Sequence, residues 1–577
     1  MKCQRRGVTM NVTELYEQWK NEELPIDLKN ELIQIEGDAS AIEDRFYQFL
    51  SFGTGGMRGV LGAGTNRMNI YIIRWAAEGL ASYIDSQGEE AKKSGVVIAY
   101  DTRQFSYEFA LETARVLGAH GVSSYIYKEP RPTPQLSFTV RELNAFAGVV
   151  ITASHNPKQY NGFKVYGEDG AQLVPSAVKA IVAYMEKIEN LFAIEVADVE
   201  QLEKQGLLRW ILEEVDEKYL ANLLTLRERN DLDYGLNLVY TPLHGTGFVP
   251  VTKGLQAFGF MNVHVVEEQA VPDGSFPTVP YPNPEEPAAF QLAMKLGQKV
   301  GADLLLATDP DADRLGVAVW NGEKYELLTG NQLGALLLHY LLETKKEQGA
   351  LPENGAMVKT IVTSEMGAAI ARKYGVETIN TLTGFKYIAE KIAEFEKTGE
   401  HTFVFGYEES YGYLIQPFAR DKDAVQVAVK VAEMAAHYAT KEKTLLNVLE
   451  DLYKEFGYYR EALVSKVFEG KDGQEKMREI LDGLRANVPT EIAGVPVVRV
   501  EDYLHGMAYV KDGLREALTL PKENVLKFVL EEESWVTIRP SGTEPKCKFY
   551  FGVVKENQEE AEKWLEQLKD GFLTLVG

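Results

Sequence analysis

The feature that most restricts the fold is a pattern of strand, polar loop, helix, glycine and strand that occurs three times along the chain. The paired apolar runs are 96–100 with 122–127, 237–240 with 263–266, and 357–362 with 376–379. Short apolar runs bounded by glycine and polar residues are typical of buried strands, and their alternation with helices indicates βαβ units. Three such units imply a duplicated architecture, with the loops after the strands converging on one cleft.

Chain length and the end of this rhythm predict the domains. A chain of 577 residues is several times the usual domain length, which favours three or four domains. After about residue 456 the βαβ pattern lapses, residues 534–538 alternate like a half-exposed strand, and a last helix is predicted from about Glu556 to Leu573. The predicted divisions are a helical extension at 1–45, domain 1 at 46–220, domain 2 at 221–330, domain 3 at 331–455 and an α+β domain 4 at 456–577.

Composition argues against several classes of partner. The chain has 61 Lys+Arg against 85 Asp+Glu, a formal net charge of −24, which disfavours nucleic acid and anionic membrane surfaces. No apolar run approaches the roughly 20 residues of a membrane-spanning helix. Cys3 and Cys547 are the only cysteines, which suits a reducing, cytoplasmic compartment. The first residues lack the apolar segment of a secretory signal, and Met10 is an alternative start.

A serine follows an apolar run in the segment 148–157. The carboxyl ends of strands form the crevice of an open α/β sheet, so Ser154 is a candidate nucleophile. A serine-hydrolase elbow would need glycine at 152 and 156, where the chain has Thr152 and Asn156. His155 is a second candidate, but adjacent side chains of an extended segment point apart, so it is equally well interpreted as a hydrogen-bonded turn residue.

Three carboxylates follow a later apolar run at every second position: Asp309, Asp311 and Asp313. In an extended loop this spacing can turn them to one side and form a hard-oxygen site for Mg²⁺ or Ca²⁺. An EF-hand would need glycine at 314 and glutamate at 320, where Arg314 and Trp320 stand. Because close carboxylates repel one another unless a cation compensates, the pattern predicts a metal site. A metal near Ser154 favours phosphoryl transfer.

Other loops offer groups suited to phosphate or sugar. The glycine-rich segment 52–59 fails the dinucleotide pattern because Arg58 occupies the place of the last glycine, but its backbone N–H groups and guanidinium could hold a phosphate; a flexible turn is the alternative. The segment 539–543 combines a guanidinium, two hydroxyls and a glycine, which suits a dianionic phosphate, with a hairpin turn as the alternative. Glu408 and Ser410 could bind sugar hydroxyls.

In this order, the segments resemble the α-D-phosphohexomutases over about residues 45–577. The similar segments are 152–157 for that family's phosphoserine loop, 309–314 for its magnesium loop, 406–410 for its sugar-binding loop and 539–543 for its phosphate loop. The resemblance implies four domains around a central cleft: three related mixed α/β sheet domains and a C-terminal α+β domain. It also implies that Ser154 is phosphorylated at rest and binds one Mg²⁺ per chain with Asp309, Asp311 and Asp313.

Further site residues are implied by the same resemblance. The catalytic candidates are Ser154, Lys422, Arg58, Lys164 and His155, and the substrate-binding candidates are Arg314, Thr383, Gly384, Lys386, Glu408, Ser410, Arg539, Ser541, Gly542 and Thr543. Two departures from the family pattern are Ala424, where a glycine is usual, and Tyr407, which is inserted in the usual Gly-Glu-Glu-Ser form. With segments 52–59 and 383–386, Tyr407 is most similar to the phosphoglucomutase and phosphopentomutase branch.

The activity implied is intramolecular phosphoryl transfer on a small sugar phosphate. Phosphorylated Ser154 would give its phosphate to a sugar monophosphate, and the resulting bisphosphate would turn over and return its other phosphate. The leading expectation is interconversion of glucose 1-phosphate and glucose 6-phosphate, with glucose 1,6-bisphosphate as activator. Phosphopentomutase and phosphomannomutase activities are the alternatives within this class, and a phosphatase or a non-catalytic sugar-phosphate binding protein lies outside it. The expected assembly is a monomer or weak homodimer.

Overall fold

A computed structural model of the chain describes residues 2–5, 8–53, 56–230, 232–468, 470–511, 513–540 and 546–577. The chain forms two compact units. The first comprises Met1–Thr329, Ala389–Glu394 and Ser410–Thr440, and the second comprises Gly330–Ile388, Phe395–Glu409 and Lys441–Gly577. In the part of the chain that the structure describes, no helix has both the length and the apolar character needed to cross a bilayer.

The first unit begins with a hairpin and three helices: β1 Lys2–Arg5, β2 Val8–Asn11, α1 Val12–Asn21, α2 Ile26–Gln34 and α3 Ala39–Phe46. The hairpin is an addition to the helical extension predicted for 1–45. Trp19 and Phe46 are buried with their rings edge to face at 5.8 Å, and Trp19 lies 5.6 Å from Tyr71 of the next helix. The helical segment therefore belongs to the core of the adjacent sheet domain, because its apolar face needs that cover.

The first sheet has the strand order β3–β7–β6–β4–β5–β8. Its strands are β3 Gly56–Val60, β4 Val96–Tyr100, β5 Ser124–Tyr127, β6 Ala147–Ile151, β7 Tyr160–Gly167 and β8 Leu208–Ile211. Its helices are α4 Ile70–Gln87, α5 Glu89–Ser94, α6 Ser106–Ala119, α7 Thr133–Glu142, α8 Pro175–Met185, α9 Val199–Gln205 and α10 Glu213–Leu224. β4 and β6 are buried along their whole length, as continuous apolar runs in a parallel sheet require.

The second sheet, also in the first unit, has the order β10–β9–β11–β12–β13. Its strands are β9 Leu238–Thr241, β10 Val263–Val265, β11 Leu304–Thr308, β12 Leu315–Trp320 and β13 Tyr325–Leu327, with helices α11 Phe248–Ala257, α12 Glu267–Ala270 and α13 Gln291–Val300. β11 is parallel to β9 and antiparallel to β12. The aspartate loop, residues 309–314, is the turn between the antiparallel strands β11 and β12, so it lies at the carboxyl end of β11.

The third sheet contains the parallel strands β14 Gly355–Thr360, β15 Glu377–Thr381 and β16 Thr402–Glu408. The neighbouring helices along the chain are α14 Gly330–Glu347, α15 Met366–Lys373 and α16 Phe385–Thr398. The chain then returns to the first unit with β17 Gly412–Leu414 and α17 Ala424–Ala439, before α18 Leu445–Phe456 in the second.

The same order of three parallel strands occurs in every sheet of the repeat: β5–β4–β6, β10–β9–β11 and β15–β14–β16. The predicted triplication is therefore confirmed. Ser154 follows the last of these strands in the first sheet, Asp309 follows it in the second, and Glu408 ends it in the third. The three motifs thus occupy one topological position, at the carboxyl end of the third strand, where α/β sheets bind ligands.

The C-terminal part of the second unit is an antiparallel sheet with the main order β18–β25–β24–β23–β20–β21–β22, and β19 pairs with β20. Its elements are β18 Tyr458–Val467, α19 Gly470–Ala486, β19 Glu491–Ile492, β20 Val495–Asp502, β21 Met507–Val510, β22 Arg515–Ala517, β23 Leu526–Leu530, β24 Trp535–Pro540, β25 Lys546–Lys555 and α20 Gln558–Val576. Short 3₁₀ helices occur at Leu191–Ala193, Pro287–Phe290 and Glu531–Glu533. The ring of Phe572 on α20 contacts Phe528, Phe549 and Phe551 of the sheet, which confirms the predicted α+β domain.

Candidate active site

Ser154 lies in the turn after β6 and is 1% exposed. Its φ is 53°, in the left-handed region that residues other than glycine seldom adopt, and such strain clusters at functional sites. Its backbone N–H donates to Thr152 Oγ1 over 2.8 Å, and its own Oγ donates to Asp309 Oδ2 over 2.9 Å. The turn therefore aims the hydroxyl of Ser154 at the aspartate loop of the next sheet.

His155 lies beside this hydroxyl, because its Nδ1 is 3.2 Å from Ser154 Oγ. The expectation that adjacent side chains would point apart is wrong here. That expectation assumed an extended segment, whereas the left-handed φ of Ser154 turns the backbone and brings both side chains to one side. A catalytic role for His155 stays a prediction, now with a geometry that permits it.

The three aspartates are buried, and one ligand oxygen from each lies within 4.8 Å of the others. Asp309 Oδ1 accepts the backbone N–H groups of Asp313 and Arg314, both over 3.1 Å, which closes the turn. The Oδ2 of Asp311 accepts from Thr133 Oγ1 over 2.8 Å and from Lys164 Nζ over 3.0 Å. The predicted convergence of the carboxylates is confirmed, although a tight turn rather than an extended loop produces it.

Two lysines flank the aspartates. Lys164 on β7 lies 3.0 Å from Asp311 Oδ2 and 3.8 Å from Asp313 Oδ2. Lys422 Nζ lies 3.0 Å from Asp313 Oδ2 and also 3.0 Å from the Oδ1 of Asp421. The Oδ2 of Asp421 in turn accepts from Tyr166 Oη over 2.8 Å. The structure thus brings both predicted lysines to the cluster that Ser154 contacts.

Burial and charge set the protonation of the cluster. Burial, followed by the charges of Asp311 and Asp313, raises the pKa of Asp309 well above its usual range. Burial also opposes ionisation of Asp311, but Lys164 more than offsets it and lowers the pKa of that carboxyl. Burial also raises the pKa of Asp421, but the charges of Lys422 and Lys164 outweigh it, so the pKa of Asp421 is lowered. Burial and the neighbouring carboxylates disfavour the ionised form of Asp309, and an added cation would favour it.

A divalent cation fits the residues present. Asp311 Oδ1 and Asp313 Oδ1 are buried and, among the described residues, accept no hydrogen bond. Buried carboxylate oxygens without a donor are costly, and hard oxygen ligands are those that Mg²⁺ and Ca²⁺ prefer. Asp309, Asp311 and Asp313 can therefore bind a divalent metal, with Ser154 Oγ as the adjacent oxygen.

In each repeat of three parallel strands, residues at or after the end of the first strand bond to the motif loop that follows the third strand. In the first sheet Arg103 bonds to the backbone of the Ser154 turn. In the second, Thr246 donates its N–H over 2.8 Å and its hydroxyl over 2.9 Å to the carbonyl of Pro310. A Cβ on neighbouring Gly245 would lie 2.5 Å from Pro310 Cα, so only glycine permits this approach.

In the third sheet Thr360 and Thr363 lie 3.3 Å and 3.2 Å from Glu409 Oε2 through their hydroxyls. These supporting residues were not predicted as part of a site. The signal that could have found them is the polar loop after each first strand, which occurs in all three repeats.

The substrate-binding candidates of the second unit form their own group. Glu408 is buried and its Oε1 accepts from Gly384 N over 2.8 Å, so it fixes the loop that precedes α16. In the described part of the chain, the buried hydroxyl of Thr383 has no hydrogen-bond partner. Lys386 is buried with its Nζ 5.0 Å from the ring centroid of Tyr387. The arrangement links Glu408 to the segment 383–386, as a shared ligand site would require.

The remaining candidates are less closely grouped. Arg58 is an exposed residue of β3 opposite Gly162 of β7, and Arg314 is ion-paired with Glu285 over 2.6 Å. Ser410 belongs to the first unit. Arg539 is half-buried at the end of β24. Ser541, Gly542 and Thr543 lie outside the described residues, as do Thr54 and Gly55 of the glycine-rich segment. The substrate-binding roles of all these residues stay predictions.

The strand that carries Tyr407, β16, contains a β-bulge three residues earlier. Its pairing with β14 shifts at Val404, because Ala356 pairs with Phe403 and Met357 with Phe405. Tyr407 is buried: a Cβ on Gly334 would lie 2.3 Å from its ring, and a Cβ on Gly367 would lie 2.4 Å from its hydroxyl oxygen. Tyr407 is thus a packing residue.

Four family descriptions match successive parts of the chain. Residues 50–192 match phosphoglucomutase/phosphomannomutase, alpha/beta/alpha domain I, residues 217–322 match domain II, residues 329–456 match domain III, and residues 485–570 match the C-terminal domain. Each match falls on one of the four sheets described above, and the strands β8, β13 and β18 of those sheets lie between the matched ranges.

Two proteins with similar sequences are named phosphoglucomutase. A phosphoglucomutase of Staphylococcus haemolyticus is 39% identical over 524 residues, which is 90% of this chain and 93% of that protein. A phosphoglucomutase of Staphylococcus epidermidis is 40% identical over 509 residues, 87% of this chain and 90% of that one.

Similar solved structures support the fold. A phosphoglucomutase/phosphomannomutase family protein of Burkholderia thailandensis has a TM-score of 0.65 at 19% identity, covering 91% of this chain and 96% of its own. The open form of the Paramecium phosphoglucomutase parafusin has a TM-score of 0.66 at 17% identity, covering 91% and 94%.

Proposed function

Since this chain belongs to the phosphoglucomutase/phosphomannomutase family, we propose that it interconverts glucose 1-phosphate and glucose 6-phosphate through a phosphorylated Ser154. The observation that carries the proposal is the 2.9 Å contact between the hydroxyl of Ser154 and Asp309, in a cluster of three carboxylates flanked by Lys164 and Lys422. Glucose is preferred to a pentose because the similar proteins are named phosphoglucomutases.

Mg²⁺ is the ion proposed for the carboxylate cluster, one per chain. Asp309, Asp311 and Asp313 would hold it together with an oxygen of phosphorylated Ser154, because all four offer hard oxygen ligands. When bound, the ion would withdraw negative charge from the phosphoryl group in transit. The buried oxygens of Asp311 and Asp313 that accept no hydrogen bond among the described residues support this assignment.

The transfer needs few covalent events. The bond between phosphorus and Ser154 Oγ breaks as a substrate hydroxyl oxygen bonds to phosphorus, so that the sugar monophosphate becomes a bisphosphate. The candidate acid–base groups are Lys422, Lys164 and His155: one of them, in its neutral form, takes the proton of that hydroxyl, and Ser154 Oγ takes up a proton as it leaves. The sugar then presents its other phosphate, which returns to Ser154 in the reverse step.

The chain's charged side chains position this exchange. Lys164 and Lys422 each bond to an aspartate of the cluster, which fixes their ammonium groups beside the site of transfer. A lysine that stays protonated in this buried site stabilises the negative charge spread over the three oxygens of the moving phosphoryl group. Glucose 1,6-bisphosphate is the proposed activator, because it is the intermediate and can phosphorylate Ser154 directly.

A coupled assay tests the proposal. Glucose 6-phosphate formation from glucose 1-phosphate is followed with and without Mg²⁺, and ribose 1-phosphate is the competing substrate. Ser154→Ala should abolish both turnover and incorporation of labelled phosphate from the bisphosphate. Ser124→Ala is the matched control, because Ser124 is a buried serine of β5 in the same sheet. Turnover retained by Ser154→Ala would refute the mechanism, and faster conversion of ribose 1-phosphate would identify a phosphopentomutase instead.

A further inference from the structure

We infer that Arg103 is a positioning residue for phosphoryl transfer, which holds the backbone of the Ser154 turn in its left-handed conformation. The inference rests on the proposed function, since it assigns Arg103 to the same reacting hydroxyl. Arg103 follows β4 in the polar loop of the first repeat and is 3% exposed.

One guanidinium collects four backbone carbonyls of the turn. Its Nη2 donates to Ser154 O over 2.5 Å and to Asn156 O, and its Nη1 donates to Pro157 O over 2.9 Å and to Tyr160 O over 3.1 Å. Four carbonyls from one seven-residue segment that converge on one cation restrict the backbone dihedral angles between them. The planar fork of arginine suits this arrangement, whereas the single ammonium of lysine offers donors from one point.

The guanidinium is itself fixed by a buried acid. Asp101 Oδ2 lies 3.3 Å from Arg103 Nε and also accepts from Thr152 Oγ1 over 2.6 Å. Thr152 Oγ1 is the acceptor of the Ser154 N–H. Asp101 therefore supports Ser154 from both sides of its backbone. It orients Arg103, which donates to the carbonyl of Ser154, and it orients Thr152, which accepts the N–H of Ser154.

A segment of the second sheet domain covers the other side of Arg103. The ring of Phe276 lies 5.0 Å from the guanidinium carbon and is 2% exposed. Arg103 forms a parallel bridge with Gly274, where a Cβ would lie 2.5 Å from Gln104 N. The cover excludes water from the guanidinium, so its bonds to the turn are made in a low-dielectric environment where they are stronger.

The residues around Ser154 therefore have two different roles. The aspartates and lysines act on the hydroxyl and the phosphate, while Arg103 acts only on the backbone that carries the hydroxyl. Loss of the four-carbonyl restraint should let Ser154 relax from a φ of 53° toward a commoner conformation and move Oγ away from Asp309. A displacement of about 1 Å at a reacting group costs on the order of 100-fold in rate.

The test compares Arg103→Lys with Arg115→Lys. Arg115 lies in the same domain and donates to the backbone carbonyl of Ala197 over 3.0 Å, far along the chain from the Ser154 turn. We expect Arg103→Lys to lower kcat by about 10- to 100-fold with KM for glucose 1-phosphate unchanged, and Arg115→Lys to change neither. Phe276→Leu removes the ring but keeps the position apolar, and should lower kcat in the same direction by a smaller factor.

Hydrogen exchange supplies a readout independent of turnover. Amides of residues 154–160 should exchange at least about 10-fold faster in Arg103→Lys than in wild type or Arg115→Lys, because the restraint on that turn is removed. Unchanged exchange, or a kcat equal to that of the control, would overturn the inference. If wild-type protein fails to isomerise glucose phosphates, the proposed function falls, whereas the exchange measurement still decides whether Arg103 holds the turn.

Discussion

Thr133 binds Asp311 through two donors: its hydroxyl lies 2.8 Å from Asp311 Oδ2, and its backbone N–H lies 2.9 Å from the Asp311 carbonyl oxygen. Thr133 is the first residue of α7 in the first sheet domain, whereas Asp311 belongs to the loop of the second. With Lys164 on the same Oδ2, these donors leave Oδ1 as the oxygen available to a cation. The first sheet domain thus orients a carboxylate of the second that we propose as a metal ligand.

Removing that ligand should weaken metal binding without unfolding the protein. Asp311→Asn keeps an oxygen for Thr133 and Lys164 but loses the charge that a divalent cation needs. We expect the Mg²⁺ affinity to fall by at least about 100-fold, since outer-shell changes alone cost 10- to 100-fold, and turnover at limiting Mg²⁺ to fall with it. Titration calorimetry measures the affinity. Asp303→Asn, at the opposite end of the same sheet, is the control and should bind Mg²⁺ normally; equal affinities in the two variants would refute the site.

Thr133→Val isolates the supporting hydrogen bond. Valine keeps the shape of threonine and its backbone N–H, but the Oγ1 donor to Asp311 is lost. An outer-shell change of this kind is expected to weaken Mg²⁺ about 10- to 100-fold, and saturating Mg²⁺ should restore most of the turnover. Thr113→Val provides the comparison, because the hydroxyl of Thr113 donates to Phe109 O within α6 and not to the aspartate cluster. A loss of turnover that excess Mg²⁺ does not relieve would contradict a role through the metal.

The sequence predicts the members of the site better than their supports. Ser154 and the three aspartates stand at strand ends that apolar runs identify, so local pattern suffices to find them. Thr133 and Asp311 are 178 positions apart, and nothing in either segment records that α7 begins beside the aspartate loop. Such contacts depend on how two sheets are placed, which is a tertiary property.

The predicted orientation of the His155 side chain was wrong for a related reason. An alternating pattern assumes extended backbone, but Ser154 adopts a left-handed φ that only the surrounding carbonyl and hydroxyl contacts make tolerable. The three repeats were predictable because each begins with a fully buried, largely apolar strand, namely β4, β9 or β14, whereas the hairpin of β1 and β2 is too short for its pattern to stand out.

Tyr166→Phe should show that losing a hydrogen bond to a carboxylate costs more stability than losing one to a neutral hydroxyl. Tyr166 donates to Asp421, whose other oxygen pairs with Lys422, so the variant leaves a buried carboxylate oxygen one donor short. Bonds to charged groups contribute about 1.5–3 kcal/mol, against about 0.5–1.5 for neutral partners. Tyr127→Phe is the control, because Tyr127 bonds to the neutral hydroxyl of Thr139. Tyr166→Phe should cost more unfolding free energy in denaturant and also lower kcat; equal costs would show that Asp421 does not depend on this donor.

The pH dependence of stability should show the contribution of protonated His120. Its Nε2 lies 3.0 Å from Glu78 Oε2, and its Nδ1 lies 2.6 Å from Asp85 Oδ2. The hydrogen bond to Glu78, with a further one to Asp85, outweighs burial and raises the pKa of His120 to about 9. A raised pKa stabilises the folded state fully below the unfolded value of about 6.5, and this stabilisation is lost as the pH rises through 9. Because all three side chains are partly exposed, we expect on the order of 2 kcal/mol after discounting for solvent screening.

His120→Gln keeps hydrogen-bonding capacity without the charge, so it is the variant that tests this pair of contacts. Its thermal midpoint should lie below that of wild type at pH 6 and converge with it by about pH 10, beyond the folded pKa. His264→Gln on β10 serves as the comparison, because among the described residues His264 has no carboxylate partner of the kind that pairs with His120. A difference between wild type and His120→Gln that stays constant from pH 6 to pH 10 would mean that packing, and not the charge of His120, joins α4 to the end of α6.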